Sequence, residues 1–210
     1  MTIGGPGLVP SPRTSPDVAR DRKARPEARA LRLFVAVDIP EEVRRRLAAA
    51  VERLHDALPG ARWVVPVNWH LTLKFLGSVY PRLRDWVGER VAEAAGGARP
   101  FETRLTELGA FPSPRRARVL WAGLDDPEDR FGALAADLDR LLQSEFRAEK
   151  RPFTAHLTVA RFREQAPLDP ELLSVDVAGD PFRVEALTLY RSYLQRPAAR
   201  YEPLARFPLG

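Results

Sequence analysis

The hydrophobic and polar positions of this chain change period several times, and each change predicts a new element. Segment 32–39, RLFVAVDI, combines β-branched and aromatic residues and predicts a buried strand. Residues 40–42 suit a helix N-terminus, with Asp38 as a possible cap nearby, and apolar residues then recur at helical spacing over 43–58, before Pro59-Gly60 ends the predicted helix. Segment 69–76 alternates again and predicts a strand that ends at Gly77.

The rest of the chain continues this mixture of strands and helices. Its pattern predicts helices over about 81–95 and 127–147, and strands over 101–111, 117–124, 154–162, 182–192 and 200–209. Strands and helices do not alternate strictly, as they would in a doubly wound parallel sheet. We therefore predict an α+β fold.

A shift of 86 positions superimposes one part of this pattern on another. His70-Leu71-Thr72 then falls on His156-Leu157-Thr158, and Leu33, Phe34 and Ala36 fall on apolar positions 119, 120 and 122 of the strand predicted over 117–124. Each half consists of a strand, an amphipathic helix and a strand that begins with His-Leu-Thr. We predict two halves related by a pseudo-two-fold axis, with the two His-Leu-Thr strands facing each other across a central cleft.

Composition excludes several classes of protein. The chain has 210 residues and no cysteine, so disulfides, thiolate nucleophiles and cysteine zinc sites are excluded. It has no apolar run of about 18 residues, which predicts that no membrane is involved. The N-terminus has no apolar signal segment, so we expect a cytoplasmic location.

More than half of the net positive charge of +5 lies in the first 30 residues. Residues 1–30 hold six of the 33 basic residues and three of the 28 acidic ones, and they lack a hydrophobic period. We predict a disordered basic tail over 1–30 and one domain with two lobes over 31–210. The domain is nearly balanced in charge, so net charge alone does not indicate nucleic-acid binding. The cluster Arg115-Arg116-Arg118 and the pair Lys150-Arg151 suit phosphate, and each is equally well explained as a solvated basic face.

The repeated His-Leu-Thr segment carries the candidate chemistry. Alternation in the first of these strands predicts that His70, Thr72 and Lys74 lie on one face of the strand. In the second strand, His156 and Thr158 lie on one face in the same way. In both strands the aliphatic residues lie on the opposite face. Two facing imidazoles can donate and accept protons in one turnover, and a threonine hydroxyl can hold a phosphate. The pattern predicts a site for phosphodiester cleavage, and two structural histidines are the alternative interpretation.

Other catalytic motifs are scarce. The sequence contains no G-x-x-x-x-G-K-[ST], G-x-G-x-x-G, H-E-x-x-H or G-x-S-x-G segment. A zinc site needs three or four ligands, and the two His-Leu-Thr segments supply two. We therefore expect no metal and no cofactor. His55 lies on a predicted helix outside this context, and we interpret it as structural.

These residues support a family resemblance. HLTLKFLG and HLTVAR resemble the paired H-x-T-x motifs of the two-histidine phosphoesterase superfamily. Within it, the chain resembles the RNA 2′,3′-cyclic phosphodiesterases, historically called 2′-5′ RNA ligases. The resemblance covers roughly residues 31–209, and its further blocks, in family order, are RLFVAVDIPEEVR, LGAFPSPRRARVLWAG, KRPFTAHLTVARFR and LYRSYL.

The resemblance implies a bilobal α+β fold in which two antiparallel sheets with flanking helices border the cleft. It implies metal-independent hydrolysis of a 2′,3′-cyclic phosphate to a 2′-phosphate. The implied partners are RNA 3′ ends or small cyclic nucleotides, and we expect a monomer. His70 would be the proton donor and His156 the proton acceptor, while Thr72 and Thr158 would hold the phosphate.

Three further residues are implied as substrate contacts. Arg161 matches a family arginine three residues after Thr158, but simple alternation places it opposite His156, so it needs a β-bulge or a strand end to reach the site. Arg151 and Phe34 are plausible contacts to the RNA backbone and base. A surface charge and an ordinary core phenylalanine explain them equally well.

Two other functions stay open. One is a related reaction in the same fold, the cleavage of 2′-5′ linkages or weak ligation. The other is a non-catalytic module that binds RNA or nucleotides. The presence of both histidines and both threonines argues against a binding module, because binding alone needs no titrating groups.

Overall fold

The computed structural model describes Met1 and residues 29–126, 128–196 and 198–210. The tail predicted over 1–30 therefore lies almost entirely outside the described residues. Within them, ten strands and five α-helices form an α+β fold, which confirms the predicted fold class. No helix of this described part is long and apolar enough to cross a membrane.

The strands and helices follow one another in a mixed order. The strands are β1 (Leu31–Asp38), β2 (Ala61–Trp63), β3 (His70–Val79), β4 (Phe101–Thr103), β5 (Leu105–Phe111), β6 (Ala117–Leu124), β7 (His156–Ala166), β8 (Phe182–Val184), β9 (Ala186–Tyr193) and β10 (Arg200–Pro208). The helices are α1 (Glu41–Glu52), α2 (Leu54–Ala57), α3 (Arg84–Gly96), α4 (Arg130–Leu142) and α5 (Pro170–Leu173). Short 3-10 helices lie at Pro66–Asn68, Pro81–Leu83 and Pro114–Arg116.

Eight strands form one antiparallel sheet, in the order β10-β9-β1-β3-β7-β6-β5, with β2 also paired to β7. We call β10, β9, β1 and β3 the first lobe, and β7, β6, β5 and β2 the second. The sheet continues from one lobe to the other through one paired position, Leu71 with Leu157. The two sheets implied by the resemblance are thus joined at this pair. A two-fold axis would relate these two leucines, which lie 86 positions apart, but the pseudo-symmetry stays a prediction.

Helices cover the face of the sheet that carries its aliphatic side chains. α3 packs against α4, β9 and β10, and α4 packs against β3. The side chains that face the sheet, Val87 and Val91 on α3 and Phe131 and Leu138 on α4, are fully buried. This packing leaves the opposite face of β3, with His70 and Thr72, available for the cleft.

Several predicted elements have different bounds in the structure. The helix predicted from about residue 40 to 58 begins at Glu41 and is divided at Arg53 into α1 and α2. The helix predicted over 127–147 is shorter, because the carboxylate of Asp126 accepts hydrogen bonds from the backbone N–H groups of Arg130 and Phe131 and starts α4 there. The strands predicted over 101–111 and 182–192 are each interrupted, because β4 and β8 pair in a separate two-stranded sheet.

A β-bulge changes the direction of the side chains in β3. Two successive residues of β1 pair with Thr72 and Lys74, so Leu73 is an extra residue in β3. The bulge reverses the alternation after Leu73. Lys74 is 6% exposed and donates a hydrogen bond to the carboxylate of Asp139 on α4. The prediction that Lys74 shares a face with His70 is therefore wrong.

Gly77 continues β3 instead of ending it. Its φ is +70°, a left-handed conformation that glycine adopts without strain. A second register shift lies there, since successive residues of β1 pair with Phe75 and Gly77. β3 then runs on to Val79, so the predicted end at Gly77 is wrong.

Candidate active site

The central cleft lies where the two lobes meet and has a volume of about 450 Å³. His70 and Thr72 reach it from the first residues of β3, and His156 and Thr158 reach it from the first residues of β7. The cleft is lined by Arg32, Phe34, Val64, Asn68, His70, Thr72, Phe75, His156, Thr158, Arg161, Ser192, Leu194 and Tyr201. The four polar residues of the two His-Leu-Thr segments therefore share one cavity.

Each of these histidines is oriented by the backbone two residues before it. The Nδ1 atom of His70 lies 2.7 Å from the carbonyl oxygen of Asn68. The Nδ1 atom of His156 lies 2.8 Å from the carbonyl oxygen of Thr154. Because a carbonyl oxygen only accepts, Nδ1 carries the proton in both rings. The Nε2 atom of each ring is thus left to exchange a proton with a ligand.

Aromatic side chains pack around both imidazoles. The ring of Phe34 stacks on that of His70 with 4.7 Å between centroids, and Tyr201 meets His70 edge-on at 5.2 Å. Phe111 meets His156 edge-on at 5.0 Å. Phe34 is 3% exposed and also packs against Tyr190 and Tyr201, so it belongs to an aromatic cluster around His70. Its contact with a substrate base stays a prediction.

Burial favours the neutral form of both imidazoles. It lowers the pKa of His70 to about 4 and also lowers the pKa of His156. The positive charge of Arg161 lowers the pKa of each ring further. At His70, the hydrogen bond to the Asn68 carbonyl and then the negative charge of Asp38 oppose this effect and raise the pKa.

Asp38 gives the two histidines different electrostatic surroundings. It pairs with His70 across β1 and β3, so the two side chains lie on the same face. Its carboxylate accepts hydrogen bonds from the hydroxyl of Thr188, at 2.8 Å, and from that of Tyr190. Burial and then these contacts with Asp38 raise the pKa of Tyr190, which keeps its hydroxyl protonated. The position 86 residues after Asp38 is Leu124, so the second lobe has no equivalent carboxylate.

Asp38 does not cap α1, so that prediction is wrong. The residue at the N-cap is Pro40, and no side chain there makes a capping hydrogen bond. The carboxylate of Asp38 instead accepts hydrogen bonds from the side chains of Thr188 and Tyr190 on β9.

Arg161 lies in the cleft because β7 also contains a bulge. Thr158 pairs with Trp121 and Ala160 with the preceding residue of β6, so Val159 is an extra residue. The bulge turns Arg161 to the face of Thr158, and its Nη2 atom lies 3.5 Å from the Thr158 hydroxyl oxygen. Val159 follows the bulged Leu73 of β3 by 86 positions, so both His-Leu-Thr strands bulge at equivalent residues.

Other predicted residues lie outside the cavity. The side chain of Arg151 is 84% exposed and pairs with Glu149 at 3.1 Å, and Arg151 does not line the cleft. His55 stacks on Trp63 with 4.0 Å between centroids, which agrees with a structural role. Arg115 and Arg116 are exposed in the 3-10 helix between β5 and β6.

Apart from Phe34, sequence reasoning missed the residues that surround the histidines. Tyr190 and Tyr201 come from the last two strands, and no local pattern indicates that these strands join the first lobe. Phe111 comes from β5 and reaches His156 across β6. Asp38 had one available signal, since it continues the alternation of Phe34 and Ala36 at the end of β1.

The fold and the cleft define a class of protein. An α+β chain whose two lobes bring paired His-x-Thr strands to one cavity is a two-histidine phosphoesterase. The chain belongs to the LigT-like phosphoesterase family, which it matches over residues 37–121 and 124–201.

Related proteins agree with this assignment. The chain is 32% identical over 179 residues to an RNA 2′,3′-cyclic phosphodiesterase of Geobacillus stearothermophilus, covering 84% of this chain and 56% of that protein. It thus spans little more than half the length of that relative. It is 34% identical over 186 residues to the RNA 2′,3′-cyclic phosphodiesterase of Methanothermobacter thermautotrophicus, covering 85% of this chain and 99% of that protein.

Solved structures show the same fold. The crystal structure of a Thermus thermophilus protein matches with a TM-score of 0.72 and 32% identity, over 85% of this chain and 98% of that one. Escherichia coli LigT complexed with 3′-AMP matches with a TM-score of 0.69 and 30% identity, over 86% of this chain and 98% of that one.

Proposed function

We propose that this protein hydrolyses the 2′,3′-cyclic phosphodiester of RNA ends, or of small nucleotides, to a 2′-phosphomonoester by acid–base catalysis with His70 and His156. One observation carries the proposal: both rings line a single cleft, and each has its Nδ1 atom bound to a backbone carbonyl. Each Nε2 atom is therefore available to one substrate. The names of the relatives support the choice of substrate.

The proposed reaction needs one proton acceptor and one proton donor. His156 takes a proton from water, whose oxygen forms a new bond to phosphorus. The bond between phosphorus and the ribose 3′-oxygen breaks, and His70 gives its proton to that oxygen. The hydroxyls of Thr72 and Thr158 and the guanidinium of Arg161 hold the phosphate oxygens as their negative charge grows.

The charges near the rings support this division of roles. The carboxylate of Asp38 favours the charged imidazolium at His70, which a proton donor needs. His156 has no such carboxylate, so no negative charge opposes the effect of Arg161, which lowers the pKa of both rings. A bound phosphate anion raises the pKa of both rings, because an opposite charge stabilises each imidazolium.

The same residues support a reaction without a metal ion. The guanidinium of Arg161 already places a positive charge beside Thr158. A zinc site takes three or four ligands, and the two imidazoles at the centre of the cleft supply two. Arginine, moreover, repels a cation and binds a phosphate directly.

The first test uses adenosine 2′,3′-cyclic phosphate in the presence of EDTA. We expect full turnover and a product that is 2′-phosphate only, resolved from 3′-phosphate by chromatography. A requirement for added metal, or a 3′-phosphate product, contradicts the proposal. Binding without turnover would favour the non-catalytic module, and cleavage of a 2′-5′-linked dinucleotide alone would favour the related reaction.

The second test replaces each histidine. His70→Ala and His156→Ala should each lower kcat by about 10²–10⁴-fold, because each removes one proton transfer. The matched control is His55→Ala, which removes the third histidine of the chain from an exposed position beside Trp63. Circular dichroism should show the same fold in all three variants. A His156→Ala protein with nearly the original rate would refute the assigned roles.

A further inference from the structure

A second arginine stands beside Arg161. In the antiparallel pairing of β2 with β7, Arg62 lies directly opposite Arg161. Directly paired residues point to the same face, with Cβ atoms about 5 Å apart. The next residue of β2, Trp63, points the other way and stacks on His55 of α2. Arg62 and Arg161 therefore share the face of the sheet that forms the cleft.

This arginine pair has no acidic partner in the part of the chain that the structure describes. Both residues are exposed, and no carboxylate there lies within 4.0 Å of either guanidinium. Other arginines, such as Arg130 with Glu128, do have such partners. Like charges placed directly opposite each other destabilise a sheet. An anion bound between Arg62 and Arg161 would relieve this repulsion.

We propose that Arg62, paired with Arg161 across β2 and β7, forms a second phosphate site, which binds the 5′-phosphate of the nucleotide whose cyclic phosphate Arg161 holds. This inference rests on the proposed function. Arg161 contacts Thr158 at the site of the cyclic phosphate, and Arg62 lies one strand farther away, at a strand spacing of about 4.8 Å. In a nucleotide with a 2′,3′-cyclic phosphate, the next anionic group along the chain is the 5′-phosphate.

The site has a consequence for specificity. In RNA, the 5′-phosphate is the diester that links the terminal nucleotide to the one before it. A nucleoside 2′,3′-cyclic phosphate with a free 5′-hydroxyl lacks this group. Arg62 therefore distinguishes an RNA end from a free cyclic nucleotide. It is a binding residue, so its loss should change KM more than kcat.

Three substrates test this role. They are adenosine 2′,3′-cyclic phosphate, its 5′-phosphorylated form, and the dinucleotide ApA ending in a 2′,3′-cyclic phosphate. We expect kcat/KM to be about tenfold higher for the two substrates with a 5′-phosphate, since only these substrates can form a charge-assisted hydrogen bond with Arg62. Arg62→Gln should remove this advantage and leave the rate on the first substrate within twofold. Arg62→Lys should keep part of it.

The control variant is Arg140→Gln, which removes the same charge from α4, on the opposite side of β3. It should keep the tenfold advantage. Equal kcat/KM for the three substrates with the unaltered protein, or an equal loss on all three in Arg62→Gln, would overturn the inference.

A binding measurement separates this inference from the proposed function. Calorimetry compares adenosine 2′,5′-bisphosphate with adenosine 2′-phosphate, neither of which is a substrate for cyclic phosphate hydrolysis. The bisphosphate should bind about tenfold tighter to the unaltered protein, and Arg62→Gln should abolish the difference. If the protein binds the bisphosphate more tightly but does not hydrolyse a cyclic phosphate, the proposed function is wrong and the second phosphate site stands. The absence of any difference would overturn the second phosphate site.

Discussion

At the scale of single residues, the two histidines have the same hydrogen bonds and different charges around them. Each ring donates from Nδ1 to a carbonyl two residues before it. His70 faces Asp38 on β1, Arg161 and His156 on β7, Tyr190 on β9 and Tyr201 on β10. Of these groups, only Asp38 is negatively charged. The difference between the two histidines in the proposed reaction thus depends on the carboxylate of Asp38, because the guanidinium of Arg161 lowers the pKa of both rings.

The pKa shifts predict an acidic pH optimum for the free enzyme. The reaction needs His70 protonated and His156 neutral. Because the pKa of His70 is lowered to about 4 and that of His156 is also lowered, both limbs of the kcat/KM profile should lie below pH 6.5. Above the upper limb, kcat/KM should fall as the pH rises. Steady-state rates between about pH 4 and 8 check this, and an alkaline limb above about pH 7 would contradict it.

Replacing Asp38 by asparagine should move this profile. Since the carboxylate raises the pKa of His70, its removal lowers that pKa and reduces the protonated fraction at neutral pH. We expect kcat/KM at pH 7 to fall by up to about tenfold, the change that accompanies one pKa unit. The three histidines of the chain allow a direct measurement of each pKa by NMR.

Asp137→Asn, on the exposed side of α4, is the matched control and should change neither the rate nor the NMR titration of His70. If Asp38→Asn leaves the pKa of His70 unchanged, the charge of Asp38 does not act on His70, and any loss of rate comes from a change in the fold.

At the scale of elements, the bulges in β3 and β7 decide which side chains reach the cleft. One turns Lys74 toward α4, and the other turns Arg161 toward Thr158. Lys74 also donates to the carbonyl of Arg147, and Asp139 accepts from the backbone of Glu149. This contact set joins β3 to α4 and to the segment that leads into β7.

The buried pair of Lys74 and Asp139 predicts a large effect on stability. Asp139→Asn leaves the ammonium of Lys74, 6% exposed, without its opposite charge, and should lower the free energy of unfolding by about 3 kcal/mol. The double variant Lys74→Met, Asp139→Leu removes both charges and should recover most of this loss. Urea denaturation measures both values. A double variant less stable than Asp139→Asn would show that the charges themselves hold the elements together.

At the scale of the whole molecule, the cleft exists because the two lobes share one sheet. Leu71 and Leu157 form the pair that joins them, and both are fully buried. Leu157→Ala should therefore lower the free energy of unfolding by about 2–5 kcal/mol. Fluorescence and circular dichroism should report one coincident transition, because the lobes share a continuous core.

Val67→Ala is the control for this experiment, since Val67 is 76% exposed and its truncation should change the stability by less than about 0.5 kcal/mol. Two separate transitions in Leu157→Ala would show that the lobes unfold independently.

The sequence by itself determined the α+β class, the position of most strands and helices, and the two His-Leu-Thr segments. These features follow from local periodicity and from short motifs, which depend on neighbours along the chain. It showed that Arg161 needs a bulge or a strand end to reach the site, but it did not locate the bulges at Leu73 and Val159, because a bulge is a mismatch between two paired strands and is visible only in their register.

Tertiary structure alone decided which residues surround the histidines. Asp38, Tyr190 and Tyr201 meet His70 because β1, β9 and β10 join β3 in one lobe, and Arg62 meets Arg161 because β2 pairs with β7. These strands lie far apart along the chain. Their pairing is set by the packing of the common core, so the pattern within one strand can at most show which face a residue such as Asp38 occupies, and not which residue it contacts.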